Sequence, residues 1–240
     1  MKEARYFYVP GVAPSGELPP DEALHAIRVL RLQAGDEIFL IDGQGSFFEA
    51  EVSLATNKRC LYTVRRALPQ QKAWHGQIHL AIAPTKMMER MEWMAEKATE
   101  VGFDQLTFLS CQFSERKVIR TDRIDKIVVS ATKQSRKAWK PVVNGMCPFD
   151  EFIAAPHEGR KYIAHCYDEV ARQDFFRLLQ ADEAHSAVTV LIGPEGDFSI
   201  DEVQRALACG FESVSLGSSR LRTETAGLMA VTMAHLSLRL

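Results

Sequence analysis

Beginning at Gly76, short apolar runs alternate with stretches whose apolar residues recur at helical spacing. A short, uninterrupted apolar run suits a strand covered on both faces, and a helix between two such strands is the crossover that parallel pairing requires. The pattern therefore predicts an α/β domain around a mostly parallel sheet. Residues 78–83 read as its first strand. Met87, Met91, Met94, Ala95, Ala98 and Val101 then recur along one helix face, closed by Gly102 as a C-terminal cap. A methionine stripe of this kind is core packing. A strand over 106–109, a basic helix over 121–137 capped by Thr121, a strand over 162–166 and a helix near 172–179 continue the alternation. The last two units are written most clearly. Residues 188–192 form a buried strand, Ser199-Ile200-Asp201-Glu202 is a capping box opening a helix that ends at Gly210, and 214–216 leads into a final helix from Thr223. In that last helix Ala226, Leu228, Met229, Ala230, Val231, Met233, Ala234 and Leu236 surround the axis, so it is buried on all sides, either within the subunit or partly against a second one.

The preceding residues are punctuated differently. Pro10-Gly11, Pro14 and Pro19-Pro20 break up residues 1–70, and Glu37-Ile38-Phe39-Leu40-Ile41 alternates like a strand. Asp42-Gly43 and Gln44-Gly45 supply turn residues before Phe47-Phe48-Glu49-Ala50-Glu51-Val52, which reads as the returning strand of a hairpin. One or two helical turns fall around residues 21–30. Pro69-Gln70-Gln71-Lys72 is a linker, which divides the chain into a smaller β-rich domain over 1–71 and an α/β domain over 72–240. No stretch reaches the roughly 18 apolar residues of a membrane span, and the charged N-terminus lacks the apolar core of a signal peptide. A cytoplasmic protein is expected. Cys60, Cys111, Cys147, Cys166 and Cys209 lie far apart without zinc-like spacing, so they read as reduced thiols and no metal site is expected.

The formal charge of −2 conceals an asymmetry. Residues 116–140 hold nine cations (Arg116, Lys117, Arg120, Arg123, Lys126, Lys133, Arg136, Lys137 and Lys140) against Asp122 and Asp125, a local net of +7. Such a segment suits a phosphate backbone, or it is a solvated helix face.

Chemistry concentrates near the C-terminus. Gly193-Pro194-Glu195-Gly196 falls between the strand 188–192 and the helix starting near Ser199, at the sheet edge where open α/β proteins bind ligands. Glycine lets backbone approach a flat ligand and proline stiffens the loop, although a strand-to-helix glycine turn can equally be only a turn. Neither the GxxxxGK[ST] nor the GxGxxG spacing is present. Leu216-Gly217-Ser218-Ser219-Arg220-Leu221-Arg222 also leaves a strand and enters a helix, placing two such loops on one edge. A ligand site there is the expectation.

These residues carry a resemblance. Leu191-Ile192-Gly193-Pro194-Glu195-Gly196 with Phe198-Ser199 and Glu202, then Leu216-Gly217 with Leu221-Arg222-Thr223-Glu224-Thr225-Ala226, resemble the bacterial 16S ribosomal RNA uridine N3-methyltransferase family of the SPOUT superfamily. His25, Val29-Leu30-Arg31-Leu32, Gly35-Asp36 and Asp42-Gly43 are similar to that family's N-terminal PUA-like domain. Lys97-Ala98-Thr99-Glu100-Val101-Gly102, Ser114-Glu115-Arg116 and Gln134-Ser135-Arg136 are similar to its central motifs, so the likeness spans nearly the whole chain. Asp197 departs from it, standing where the family usually has a second glycine after Gly196.

The resemblance implies a SPOUT trefoil-knot domain with a smaller PUA-like β-barrel domain, a homodimer, and S-adenosylmethionine as cofactor. It implies methylation of N3 of a specific uridine in 16S rRNA near the decoding centre, with free rRNA or the assembled small ribosomal subunit as partner. A sulfonium-borne methyl group needs positioning more than a metal or a covalent nucleophile. The N3 proton must leave, which a nearby cation assists; Arg222 and Arg136 are the candidates. Glu224 is either a base or an acidic residue favoured by the helix dipole. His165, Ile192, Gly193, Pro194, Glu195, Gly196, Leu216, Gly217, Leu221 and Arg222 are implied around the cofactor, His165 being otherwise a strand-end histidine. Arg5, His25, Arg28 and Arg31 in the first domain and Lys86, Arg116 and Arg136 in the second are implied as RNA contacts. Two rivals remain: transfer RNA or another ribosomal nucleotide as target, and a non-catalytic RNA-binding assembly factor.

Overall fold

The alternating pattern after Gly76 folds into one seven-stranded sheet in a computed structural model of the chain, which describes residues 4–181 and 187–239. Contacts divide the chain into two units, Met1–Lys72 with Val129–Lys140, and Ala73–Val128 with Pro141–Leu240.

In the first unit, β1 (Tyr6–Tyr8) and β2 (Ser15–Glu17) are followed by α1 (Pro20–Leu24) and a wider helical turn over His25–Val29, then by β3 (Glu37–Ile41), β4 (Ser46–Ala55) and β5 (Cys60–Pro69). The sheet order is β1-β3-β4-β5-β2, with β1 parallel to β3 and the other pairs antiparallel. The β3–β4 hairpin is made by its aspartate. One Asp42 carboxylate oxygen accepts the amides of Gln44 (2.7 Å) and Ser46 (3.0 Å), and Gly43 and Gly45 take the positive φ that the turn requires. Inside, Phe7, Leu18, Leu40 and Val52 pack with Tyr62.

The second unit contains β6 (Gln77–Ile82), α2 (Met88–Val101), β7 (Gln105–Ser110), α3 (Thr121–Gln134), β8 (Val142–Pro148), α4 (Phe149–Ala154), β9 (Arg160–Ala164), β10 (Gln173–Asp174), α5 (Phe175–Ala181), β11 (Ala187–Ile192), α6 (Ile200–Ala208), β12 (Glu212–Ser215) and α7 (Thr223–Leu238), the end of α3 being grouped with the first unit. Its strand order is β10-β12-β9-β11-β6-β7-β8, and every pair is parallel. All six residues of β11 are buried, as a central parallel strand covered on both faces must be. Because the strands share one direction, the loops after β9, β11 and β12 leave from the same edge.

The methionine stripe is core: Met91, Met94, Ala95 and Ala98 are fully buried, while Met87 sits before the helix and is exposed. The capping box is complete, with the Glu202 amide donating to Ser199 Oγ (3.2 Å) and the Ser199 amide to Glu202 Oε2 (2.8 Å). Elsewhere the boundaries move. The helix expected to reach residue 137 ends at Gln134, because Arg136 adopts φ 53° and the Lys137 amide donates back to the Thr132 carbonyl (3.0 Å), a left-handed helix end at a position that usually takes glycine. The strand expected over 162–166 is β9, so His165 and Cys166 lie just beyond it, and the helix expected near 172–179 is α5. Within one subunit α7 is not buried on all sides. Gly227, Ala230, Val231, Ala234 and Leu238 face the core, while Met229 (37%) and Leu236 (49%) are exposed. No helix among the described residues is long and apolar enough to cross a membrane.

Candidate functional site

Three loops at the carboxyl edge of the sheet enclose a cavity of about 1030 Å³, within the second unit. The loop after β11 contributes Gly193, Pro194, Glu195 and Asp197, the loop after β12 contributes Leu216 to Arg222, and the loop after β9 contributes His165, Cys166, Asp168 and Arg172. Arg90 reaches it from α2, and Thr223 and Ala226 from the start of α7. Thus the two glycine loops flagged by the sequence do share one space, joined by a third loop that carries no recognisable pattern.

The loops are tied to one another by specific hydrogen bonds. Glu195 Oε1 accepts the Lys86 amide (3.0 Å), fastening the β11 loop to the loop after β6. Arg116 clamps that second loop through the carbonyls of Thr85 (3.0 Å) and Lys86. Asp197 takes the left-handed conformation (φ 68°); one carboxylate oxygen accepts its neighbour Phe198's amide and the other accepts the Cys166 amide, both at 2.8 Å. Tyr167 Oη donates to the Phe198 carbonyl (2.8 Å).

His165 is buried and both its ring nitrogens are engaged. Nδ1 accepts the Tyr167 amide (3.2 Å), so the proton lies on Nε2, which donates to Ser213 Oγ (2.6 Å). Burial pushes its pKa down, opposed by Asp197 and assisted by Arg172. A neutral imidazole with both nitrogens occupied holds the loop and is a poor general base. Charge in the cavity comes in both signs. Arg172 donates to Asp168 (2.6 Å) and to the His165 carbonyl (2.9 Å). Arg90 lies 3.6 Å from the carboxylate of Glu224, a buried residue whose other oxygen has no hydrogen-bond partner among the described residues. Arg220 and Arg222 make no ion pair with any described residue, and Arg222 is exposed at the cavity wall.

Of the residues implied around a cofactor, His165, Ile192, Gly193, Pro194, Glu195, Leu216, Gly217, Leu221 and Arg222 line the cavity, and Gly196 does not. Glu224 does not line it either, which favours the structural alternative for that carboxylate. Arg136, expected beside the reacting atoms, is not in the lining; it belongs to the first unit, where its guanidinium lies over the Tyr6 ring at 5.7 Å. Arg5 stands 3.8 Å from Asp36, and His25, Arg28 and Arg31 are exposed on the first unit, Arg31 with φ 53°. The basic segment carries less free charge than its composition suggests. Arg120 pairs with Asp122 (3.1 Å), Arg123 with Glu92 (2.9 Å) and Lys133 with Glu22 (2.6 Å), while Arg116 is anchored on carbonyls and keeps its charge. Arg90, Arg172 and Asp168 are cavity residues that sequence reasoning missed, because nothing in their local pattern separates them from ordinary surface charges; Arg220 lies in the second flagged loop but was given no role there.

Residues 72–235 match the family described as RNA methyltransferase domain, and residues 18–64 the family described as RNA methyltransferase PUA domain. A probable rRNA-methyltransferase from Porphyromonas gingivalis superposes with a TM-score of 0.88 at 44% identity, covering 98% of each chain. The ribosomal RNA small subunit methyltransferase E of Neisseria gonorrhoeae, solved bound to S-adenosyl methionine, superposes at 0.81 with 26% identity over 95% of each chain. Among sequence relatives, the ribosomal RNA small subunit methyltransferase E of Mycobacterium bovis is 29% identical over 246 residues, covering 95% of this chain and 90% of its own length.

Proposed function

The chain belongs to the RNA methyltransferase family, and on that premise we propose that it transfers a methyl group from S-adenosylmethionine to N3 of a specific uridine in 16S rRNA of the small ribosomal subunit, near the decoding centre. The observation that carries this reading is the single cavity formed by the loops after β9, β11 and β12, in a chain that superposes along almost its whole length on a ribosomal RNA small subunit methyltransferase E bound to S-adenosyl methionine.

The lining suits such a ligand. Ile192, Val214, Leu216 and Leu221 offer apolar walls for a flat ring, and glycines at 193 and 217 leave backbone accessible. Asp168, Asp174 and Glu195 would suit a cationic ligand's ammonium and sulfonium groups, and Arg90, Arg172 and Arg220 its carboxylate. When bound, the cofactor supplies an electrophilic methyl group. The protein's task is then to hold uridine N3 in line and to favour its anionic form. Arg222 is assigned that second role, since it is exposed at the cavity wall and no described residue neutralises it. Glu224 acts through Arg90, holding it toward the cavity. Incubation with methyl-labelled S-adenosylmethionine and small subunits lacking the modification is expected to label 16S rRNA; label in transfer RNA alone, or no transfer, overturns this reading.

Arg5, His25, Arg28 and Arg31 are assigned to RNA, with Lys86, Arg116 and Arg136. Two of these, Arg31 and Arg136, occupy left-handed backbone that costs about 1 kcal/mol or more for a residue with a side chain. Substituting Arg28 or Arg31 by alanine is expected to weaken RNA binding roughly three- to tenfold, flatten its salt dependence and leave cofactor binding unchanged. Calorimetric titration of each ligand checks this, and equal losses for both would contradict it. A homodimer buries the exposed Trp93, Met229 and Leu236 on the packed pair α2 and α7. A cytoplasmic location fits an rRNA substrate.

A further inference from the structure

We propose that Asp197 is a positioning residue of the cofactor cavity, a carboxylate latch that binds the loop after β9 to the loop after β11 so that the two form one wall. The inference rests on the cofactor reading above.

Its basis is a local contradiction with a nonlocal resolution. Residue 197 has φ 68°, which glycine adopts freely and other residues adopt at a cost. The resemblance indeed places glycine there. Aspartate is among the side chains that tolerate this conformation because the carboxylate can bond nearby amides. Here one oxygen does that, taking the Phe198 amide at 2.8 Å, while the Asp197 amide closes a turn on the Pro194 carbonyl at 2.9 Å. The second oxygen reaches the Cys166 amide at 2.8 Å, in a loop that precedes it in sequence by β10, α5 and β11. A glycine could hold the turn but not the second loop. Both Asp197 and Cys166 line the cavity, and the Tyr167 hydroxyl bonds the Phe198 carbonyl beside them, so the junction has two ties. Cys166 is exposed, and its thiol pKa is raised by burial first and then by the charge and hydrogen bond of Asp197, against Arg172 and Arg220. That thiol reports on the latch independently of activity.

The test compares wild type with Asp197→Gly, Asp197→Ala and Asp197→Asn, using calorimetric titration of S-adenosylmethionine, steady-state kinetics, and alkylation of Cys166 by iodoacetamide read by peptide mass spectrometry. Asp197→Gly relieves the backbone cost yet removes two charge-assisted bonds, so cofactor affinity is expected to fall roughly tenfold. KM for the cofactor should rise with it, while kcat at saturating cofactor stays within about twofold. Cys166 should alkylate several-fold faster as the carboxylate's influence is lost. Asp197→Ala should be at least as impaired, and Asp197→Asn, which keeps one acceptor oxygen and tolerates the backbone, should recover part of the affinity. Unchanged cofactor affinity in Asp197→Gly, or a fall in kcat with KM unmoved, overturns the proposal. Should wild type itself fail to bind S-adenosylmethionine, the cofactor reading fails, and the alkylation rates still decide the latch: faster in Asp197→Gly supports it, equal rates overturn it.

Discussion

Gly193→Ala is expected to abolish measurable binding of S-adenosylmethionine, an effect of roughly 100-fold or more, while the protein remains folded. A Cβ on Gly193 would lie 2.9 Å from the Phe198 amide nitrogen and 3.1 Å from the Asp197 carbonyl carbon. These neighbours are backbone, so no side-chain rotation can make room. The loop must move as a whole, and it is already pinned at Glu195 to Lys86 and at Asp197 to Cys166. Overpacking of this kind typically costs about 1–3 kcal/mol of stability, which a domain of this size survives. The cavity wall does not survive a shifted loop, because Gly193 and Pro194 are part of it. Calorimetric titration alongside urea denaturation separates the two effects. A variant that binds the cofactor within about threefold of wild type would mean that the wall lies elsewhere.

Arg222→Ala is expected to lower kcat by roughly 100- to 1,000-fold, the range seen when one preorganised group facing a developing anion is removed. Cofactor affinity should change far less. The substitution is clean at the level of the fold, because Arg222 caps α7 through its backbone: the Ala226 amide donates to its carbonyl at 2.8 Å, and no side-chain cap is involved. Arg222→Lys should recover part of the rate, keeping the charge but losing the planar fork. Arg136→Ala should instead raise KM for RNA with little change in kcat, as its place over Tyr6 and outside the cavity lining suggests. Single-turnover rates at saturating cofactor read both variants.

What was legible in the sequence is what local chemistry encodes. The Ser199–Glu202 capping box satisfies helix-end amides with neighbours three residues apart, so its spacing alone locates α6. β11 is apolar but for Thr189 because both faces are covered, and the two glycine loops follow from where strands end. The missed features are those whose partners lie far along the chain. Glu224 and Arg90 meet across α7 and α2, and Glu22 and Glu92 absorb cations of the basic segment that composition leaves uncompensated. The β9 loop was reached only through His165 as an implied cofactor neighbour, because what holds the loop, His165 to Ser213 and Cys166 to Asp197, joins residues 48 and 31 positions apart. β8 escaped notice because an edge strand needs no apolar run; Val142 is exposed there, and Gly145 and Pro148 interrupt it. Arg136 ends α3 without the glycine that normally marks such a stop. Ligand identity was never in the spacing, and came only with the family likeness.

Mapping the product tests the central claim most directly. Small subunits lacking the modification are treated with wild-type protein and S-adenosylmethionine, and the digested 16S rRNA is sequenced by mass spectrometry. The expected result is a single added methyl group on N3 of one uridine, absent when Gly193→Ala replaces wild type. Methylation at a carbon, a ribose oxygen or another base, or subunits returned unmodified by a protein that binds the cofactor, would contradict it.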